Sequence, residues 1–402
     1  MSYARKVCGL AEALGGIRDS RQRPRISTAR AVRAIFAMFM TRLGSLNAVD
    51  VSRPSRFWDS WIGGALPSGD SLGRISATLD LETVREANWT ILQRLKRCKA
   101  LAAPAHGLVP LIIDGHESHA TYRRHCKGCL RRTVGSKDGE RIQYYHRHVT
   151  AWLGTGAFGV LLDAEPQRAG EDEVEAALRL LDRIYRRWPR AFDVVCGDAL
   201  YTDPRIYGWA AGKRGKYVLT VLKDERRDLL KDVSGLVQVV SPVETTKGKT
   251  HRRCWDLEGL TSWPQVGRPV RVVRSLESTP VRRQGTGEVE EQVSRWIWVT
   301  TLPRDRARVD VVVDLGHARW DIENRGFNET TTRWAADHVY KHDPTAISAF
   351  GILCMIAYNV FHAFFWRNLK PCFRARITMV HLSKMLASTI YSELPQAACL
   401  SP

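Results

Sequence analysis

The chain reads as an α/β protein: a mixed five-stranded sheet flanked by helices, with an all-α region before it and a β-rich insertion within it. Three observations predict this. Residues 1 to about 105 carry apolar positions at helical spacing between basic and Gly/Pro breaks. From about residue 108 the period shortens to brief β-type runs that alternate with helical stretches. Residues 224–303 interrupt that alternation with further short runs, and helical composition returns at Arg319–Thr332. The resulting division is an N-terminal helical DNA-binding or dimerisation region (1–105), a first core segment (106–223), the insertion (224–303), a second core segment (304–366) and a tail (367–402).

Taken in order, Thr28–Leu43 places Val32, Ile35, Phe36, Met38 and Phe39 along one side with Arg30 and Arg33 between them, which predicts an amphipathic helix. A helix start near Ser71 and a longer helical run over Leu81–Ala102 follow. The expected strands are Leu108–Asp114, Tyr144–Leu153, Phe158–Asp163, Phe192–Asp198 and Lys216–Leu222. Helices are expected at Glu171–Trp188, with an acidic start and a basic end that suit the helix dipole, and at Asp203–Gly212. This β-β-β-α-β-α-β order sets the first and fourth strands side by side. The insertion carries β-type runs at Leu236–Val240, His251–Leu257, Pro269–Arg274 and Val293–Thr300. Ala346–Trp366 is apolar enough to resemble a membrane span, but Ser348, Asn359 and His362 favour a buried core helix, and no membrane partner is expected.

Lys and Arg total 61 against 42 Asp and Glu, a formal charge of +19. Such an excess favours a polyanion, because each phosphate contact releases counterions. An apolar fraction of 44% supports large cores and excludes a disordered chain. Nine cysteines, an odd and scattered set, and an N-terminus without a long apolar core point to a reducing cytoplasm.

Two apolar runs end in aspartate, LVPLIID at Asp114 and FDVVCGD at Asp198, and Glu323 stands four residues after Arg319 on a helix. Singly, such aspartates are turn or helix caps and such Arg/Glu pairs are solvated. With the first and fourth strands adjacent, Asp114 and Asp198 become neighbours. Phosphodiester cleavage needs an activated water and a stabilised leaving oxygen, which two divalent ions roughly 3.5–4 Å apart supply. Mg²⁺, with Mn²⁺ as its substitute, prefers oxygen ligands. Asp114 is the expected bridging ligand, and Asp198 and Glu323 each take one ion.

The segments LIIDGHE, VVCGDALYTD and RWDIENRGF resemble the DDE transposases of bacterial insertion sequences, in the insertion-sequence-four-like group that has a β-strand insertion within an RNase H-like core. Arg319 and Glu323 match the arginine and glutamate of that family's third motif, while Gly316 and Thr330 stand where it has tyrosine and lysine. A branch with RW, IEN and a later W-x-x-DH, here Trp334 to His338, is closer. The resemblance spans about residues 106–366. It implies metal-dependent cleavage at mobile-element ends, strand transfer into target double-stranded DNA by a freed 3′ hydroxyl, a homodimer on DNA, and a bacterial cytoplasmic, nucleoid-associated setting.

Other candidates surround this triad. Cys126 and Cys129 form a Cys-x-x-Cys with histidines nearby, His116, His119, His125, His146 and His148, and are read as candidate ligands of a structural zinc. Arg319 and the flanking Arg123, Arg124, Arg131 and Arg132 are candidate phosphate contacts. Trp296 and Trp298, on one face of a strand, are candidates for stacking on bases, with ordinary strand core as the alternative. Two other functions remain open: a catalytically silent DNA-binding descendant of such an enzyme, and an RNase H-like nuclease without strand transfer.

Overall fold

The computed structural model describes residues 2–394 except Lys137, Asp138, Ala157, Arg214, Asp224, Glu225, Gln284, Thr286 and Glu393; the tail beyond Leu394 lies outside the described residues. It divides into two compact units. One comprises Met1–Pro104, Gly115–Ala176 and Glu323–Pro402, the other Ala105–Asp114 and Ala177–Ile322.

In the first unit the N-terminal region is helical, with its longer helices at Thr28–Met40, Gly69–Ser76 and Leu81–Arg97. Their starts are set by side-chain caps: Ser27 accepts from the Arg30 N–H, Ser68 from Ser71 and Asp80 from Glu82. The apolar side of Thr28–Met40 is fully buried at Val32, Ile35 and Phe36. It packs, with Leu81–Arg97, on the long apolar helix Pro344–Ala363. Asp343 caps that helix through the Thr345 and Ala346 N–H groups, and Pro344 occupies its first position. The stretch Pro344–Asn368 is long and apolar enough to cross a bilayer, but 78% of its apolar window is buried within the protein. It is the core helix that its polar residues predict.

The same unit holds β2 (Leu130–Ser136), β3 (Gly139–Leu153), β4 (Val160–Pro166) and the second half of β1 (Pro110–Thr121). β3 pairs antiparallel with β2 through its first half and with β4 through its last residues. The backbone of β4 is held by Asn359, which is fully buried. Its Oδ1 accepts the Leu161 N–H at 2.9 Å and its Nδ2 donates to the Leu161 carbonyl at 2.7 Å and to Asn88 at 3.0 Å. An asparagine is tolerated in so apolar a helix because its polar atoms are satisfied there.

The second unit carries the first half of β1, then β5 (Val194–Gly197), β6 (Tyr217–Val221), β7 (Val243–Lys247), β8 (Thr250–Leu260), β9 (Val270–Arg282) and β10 (Val289–Thr300), in the order β1-β5-β6-β10-β9-β8-β7. β1, β5 and β6 are parallel, and their uninterrupted apolar runs suit a sheet buried on both faces. The predicted adjacency of the first and fourth expected strands is therefore present.

The expected mixed sheet with flanking helices is present, and it extends past the expected five strands. The insertion is continuous with the core: β10 pairs antiparallel with β6, Trp298 opposite Val221 and Thr300 opposite Leu219. One insertion run is helix instead of strand. Leu236–Val240 falls within the helix Arg227–Val239, because Leu229 and Val233, one turn apart and each 1% exposed, form a buried helical side.

Candidate active site at the ends of two parallel strands

Leu111, Ile112 and Ile113 on β1 and Val194, Val195 and Cys196 on β5 are all fully buried, which fixes these two strands in the sheet. Their register pairs Pro110 with Val194, Leu111 with Val195 and Ile112 with Cys196. Two residues further on come Asp114, still on β1, and Asp198, one residue past the end of β5. Because side chains alternate with period two, Asp114 belongs to the same face of β1 as Ile112, and neighbouring strands lie about 4.8 Å apart. Ligand sites of open α/β sheets form at the carboxyl ends of the strands; Asp198 follows the end of β5, and Asp114 follows the stretch of β1 that pairs with β5. The starts of the strands are fixed as well, since Asp193 accepts the Val109 N–H at 2.8 Å.

Asp198 also does what the simpler reading expects of it. It caps the short turn Ala199–Tyr201, its Oδ1 accepting the Leu200 N–H at 2.9 Å. Gly197 precedes it because a Cβ there would lie 2.7 Å from the Tyr201 ring, which is wholly buried. The cap thus fixes one oxygen of the carboxylate.

Arg319 belongs to the same unit but is not presented to solvent as the sequence suggests. It is 6% exposed, its guanidinium lies 4.1 Å from the Trp320 ring centroid, and its charge bears on the Cys196 thiol. The expectation for the tryptophans is likewise corrected. Trp298 is 1% exposed and stacks on Trp296, with ring centroids 6.2 Å apart. His317 meets both rings edge-on and its Nε2 donates to the Glu277 carboxylate at 2.7 Å. Trp298 is core, leaving only the half-buried Trp296 near the surface.

Residues 106–360, well over half of the 402-residue chain, match the family described as Transposase DDE domain. The chain belongs to this family of DDE transposases. No curated protein matches it. The two departures from the family's third motif have local physical causes. At Gly316 any Cβ would overlap the Trp298 indole, so a tyrosine has no room. Thr330 is buried and donates to the Gly326 carbonyl at 2.8 Å, so a lysine would bury its charge.

In the other unit of the transposase, Glu323 lies in a π-helical turn, Ile322–Phe327, that precedes the helix Asn328–Trp334. The expected regular helix is therefore widened at this glutamate, a distortion frequent at functional positions. Below it, Glu329 accepts from His362 at 3.0 Å and Trp334 at 3.2 Å; against the upward push of burial, these bonds hold its carboxyl below the usual range. His116 stacks on Phe327 at 4.5 Å, and burial lowers its pKa. Both rings border a cavity of about 320 Å³ that also takes in His148, Thr150, Cys354 and Met355.

Of the basic residues, Arg123, Arg124 and Arg131 are exposed. Arg132 is exposed too and makes a two-pronged pair with Glu117, both contacts at 2.8 Å. Cys126 and Cys129 are brought together with His146, but His119 and His125 are not part of the cluster. Two residues escape the sequence. His342 joins the cysteines from 213 positions away, and no local motif marks it. Glu173, legible only as part of an acidic helix start, places its carboxylate against the Cα of Gly115 and pairs with Arg147 at 3.2 Å.

Proposed function

We propose that this transposase cuts double-stranded DNA at the ends of a mobile element and joins the freed 3′ hydroxyl to target DNA, with Asp114, Asp198 and Glu323 as its metal-holding carboxylates. The observation that supports the proposal is the β1–β5 register, which pairs Ile112 with Cys196, two residues before Asp114 and Asp198. Carboxylate oxygens are the hard donors that Mg²⁺ takes, with Mn²⁺ as a substitute, so the residues fit the metal the family uses. Bound there, a pair of such ions would supply an activated water and steady the leaving oxygen. Asp114 would be the ligand shared by the two ions. The cap from Leu200 keeps one oxygen of Asp198 oriented and leaves the other for a metal ion. Exposed Arg123, Arg124 and Arg131 offer phosphate contacts that position DNA without reading its sequence. Paired ends call for two copies of the chain, acting on DNA in a reducing cytoplasm.

The test is an assay of cleavage and joining on DNA bearing the element's ends, in Mg²⁺, with the native chain and Glu323→Ala. Joined product from the native chain alone is expected. Nicked but never joined DNA would instead identify a nuclease, and DNA binding without cutting a silent binding protein.

A further inference from the structure

Away from the carboxylates, four soft or borderline donors converge within the first unit. The Sγ atoms of Cys126 and Cys129 and the Nε2 atoms of His146 and His342 come from the β1–β2 connection, from β3 and from the segment that leads into Pro344–Ala363. All four ligand atoms lie within 4.8 Å of one another. The two sulfurs are 3.7 Å apart, His146 Nε2 is 3.3 Å from each, and His342 Nε2 is 3.4 Å from Cys129 Sγ.

These separations discriminate between explanations. A disulfide holds its sulfurs at about 2.05 Å, far shorter than observed. A tetrahedral zinc with Zn–S of about 2.3 Å and Zn–N of about 2.0–2.1 Å has edges of about 3.8 Å between sulfurs and about 3.6 Å between sulfur and nitrogen. The four edges given above agree with that tetrahedron to within about 0.3 Å, and the other two are no longer than 4.8 Å. Hydrogen bonding alone does not require two thiols and two rings to point at one centre.

The surrounding chain is shaped for this convergence. The turn closes with the Cys129 N–H on the Cys126 carbonyl at 3.1 Å, and the Cys126 N–H donates to Cys129 Sγ at 3.2 Å. Gly128 lies so near Pro344 that an added Cβ would fall 2.8 Å from the proline Cβ. Only a residue without a side chain lets the turn reach His342. Cys129 and His146 are 9% and 8% exposed, so the centre is largely shielded.

We propose that Cys126, Cys129, His146 and His342 bind one structural Zn²⁺ in a closed Cys₂His₂ site. Four protein ligands leave no open position, so the ion is a staple and takes no part in cutting DNA. Two thiolates balance its charge, which lets it sit beside Arg124 and Lys127. It ties the turn that carries Arg123, Arg124 and Arg131 to the start of the core helix, closing a loop of more than two hundred residues. Zinc binding does not depend on the cutting reaction and is tested without DNA.

The full chain, purified without added metal, is analysed for zinc by atomic emission. About one zinc per chain is expected for the native protein, and less than about a tenth of that for Cys126→Ser/Cys129→Ser and for His342→Ala. His125→Ala is the control, since His125 stacks on Tyr144 outside the cluster. Co²⁺ exchanged into the native chain provides a measurement that needs no variant. Intense tetrahedral ligand-field bands with thiolate-to-cobalt charge transfer support the site. Weak octahedral bands, native protein without zinc after incubation in Zn²⁺, or full zinc retained by the cysteine double variant would each overturn it.

Discussion

Asp198 separates the catalytic reading from the structural one, because the residue has a measurable structural task of its own. Its Oδ1 accepts the Leu200 N–H at 2.9 Å as the cap of the turn that follows β5. Asp198→Ala deletes that bond, and loss of a cap costs about 0.5–2 kcal/mol. Asparagine caps as well as aspartate, so Asp198→Asn should keep stability within about 0.5 kcal/mol of the native chain. It does remove the negative charge. If that charge holds a metal ion that stabilises the transition state by several kcal/mol, cleavage falls by roughly a thousandfold in both variants. Urea titration measures the first effect and cleavage of end DNA in Mg²⁺ the second. The outcome expected is Asp198→Asn with native stability and almost no activity. An Asp198→Asn protein that cuts like the native chain would refute the catalytic role and leave Asp198 a cap alone.

Trp298→Ala should destabilise the fold by about 3–5 kcal/mol, the cost of emptying a packed aromatic site, as read by denaturant midpoint. Loss of DNA affinity without loss of stability would return Trp298 to the surface. Arg123→Ala, Arg124→Ala and Arg131→Ala should each lower the salt slope of DNA binding by about one, whereas Arg132→Ala, tied to Glu117, should change it less. Acid sensitivity should centre on Glu277 and Asp314. Burial pushes both carboxyls up, but hydrogen bonds from His317 to Glu277, and from Lys247 and Arg252 to Asp314, hold them below their ordinary values. Their contribution is therefore complete above the ordinary carboxylate range and is lost as pH falls through the depressed values. A Glu277→Gln chain should show a shallower loss of stability below about pH 4.

β1 and β5 are legible because burial on both faces requires unbroken apolar runs, and each run stops at an aspartate. Strand adjacency then follows from topology alone. The polar half of β1, Gly115–Thr121, and β2 carry no such signal, since their side chains are mostly polar and, Leu130 apart, those described are at best half-buried. The end of Arg227–Val239 reads as strand for a related reason: valines crowd its last residues, while the helical pair that decides its conformation, Leu229 and Val233, lies earlier. Side-chain fate is less legible than backbone. The interleaving of Trp296, Trp298 and Arg295 is the same in a base-stacking face and in a core strand, and only the Gly316 helix packed on Trp298 distinguishes them. His342 cannot be paired with Cys126 and Cys129 from spacing, because the metal-ligand pattern is completed by folding across the chain.

The most direct test of the carboxylate site is a change of ligand chemistry at Asp114. In Asp114→Cys the ligand becomes a thiolate, which Mg²⁺ takes poorly and the softer Mn²⁺ accepts more readily. Cleavage of element-end DNA by this variant should be lost in Mg²⁺ and recovered in part in Mn²⁺, while the native chain cuts in both. A folded, DNA-binding Asp114→Cys protein that cuts in Mg²⁺ as well as the native chain would contradict a metal held by Asp114.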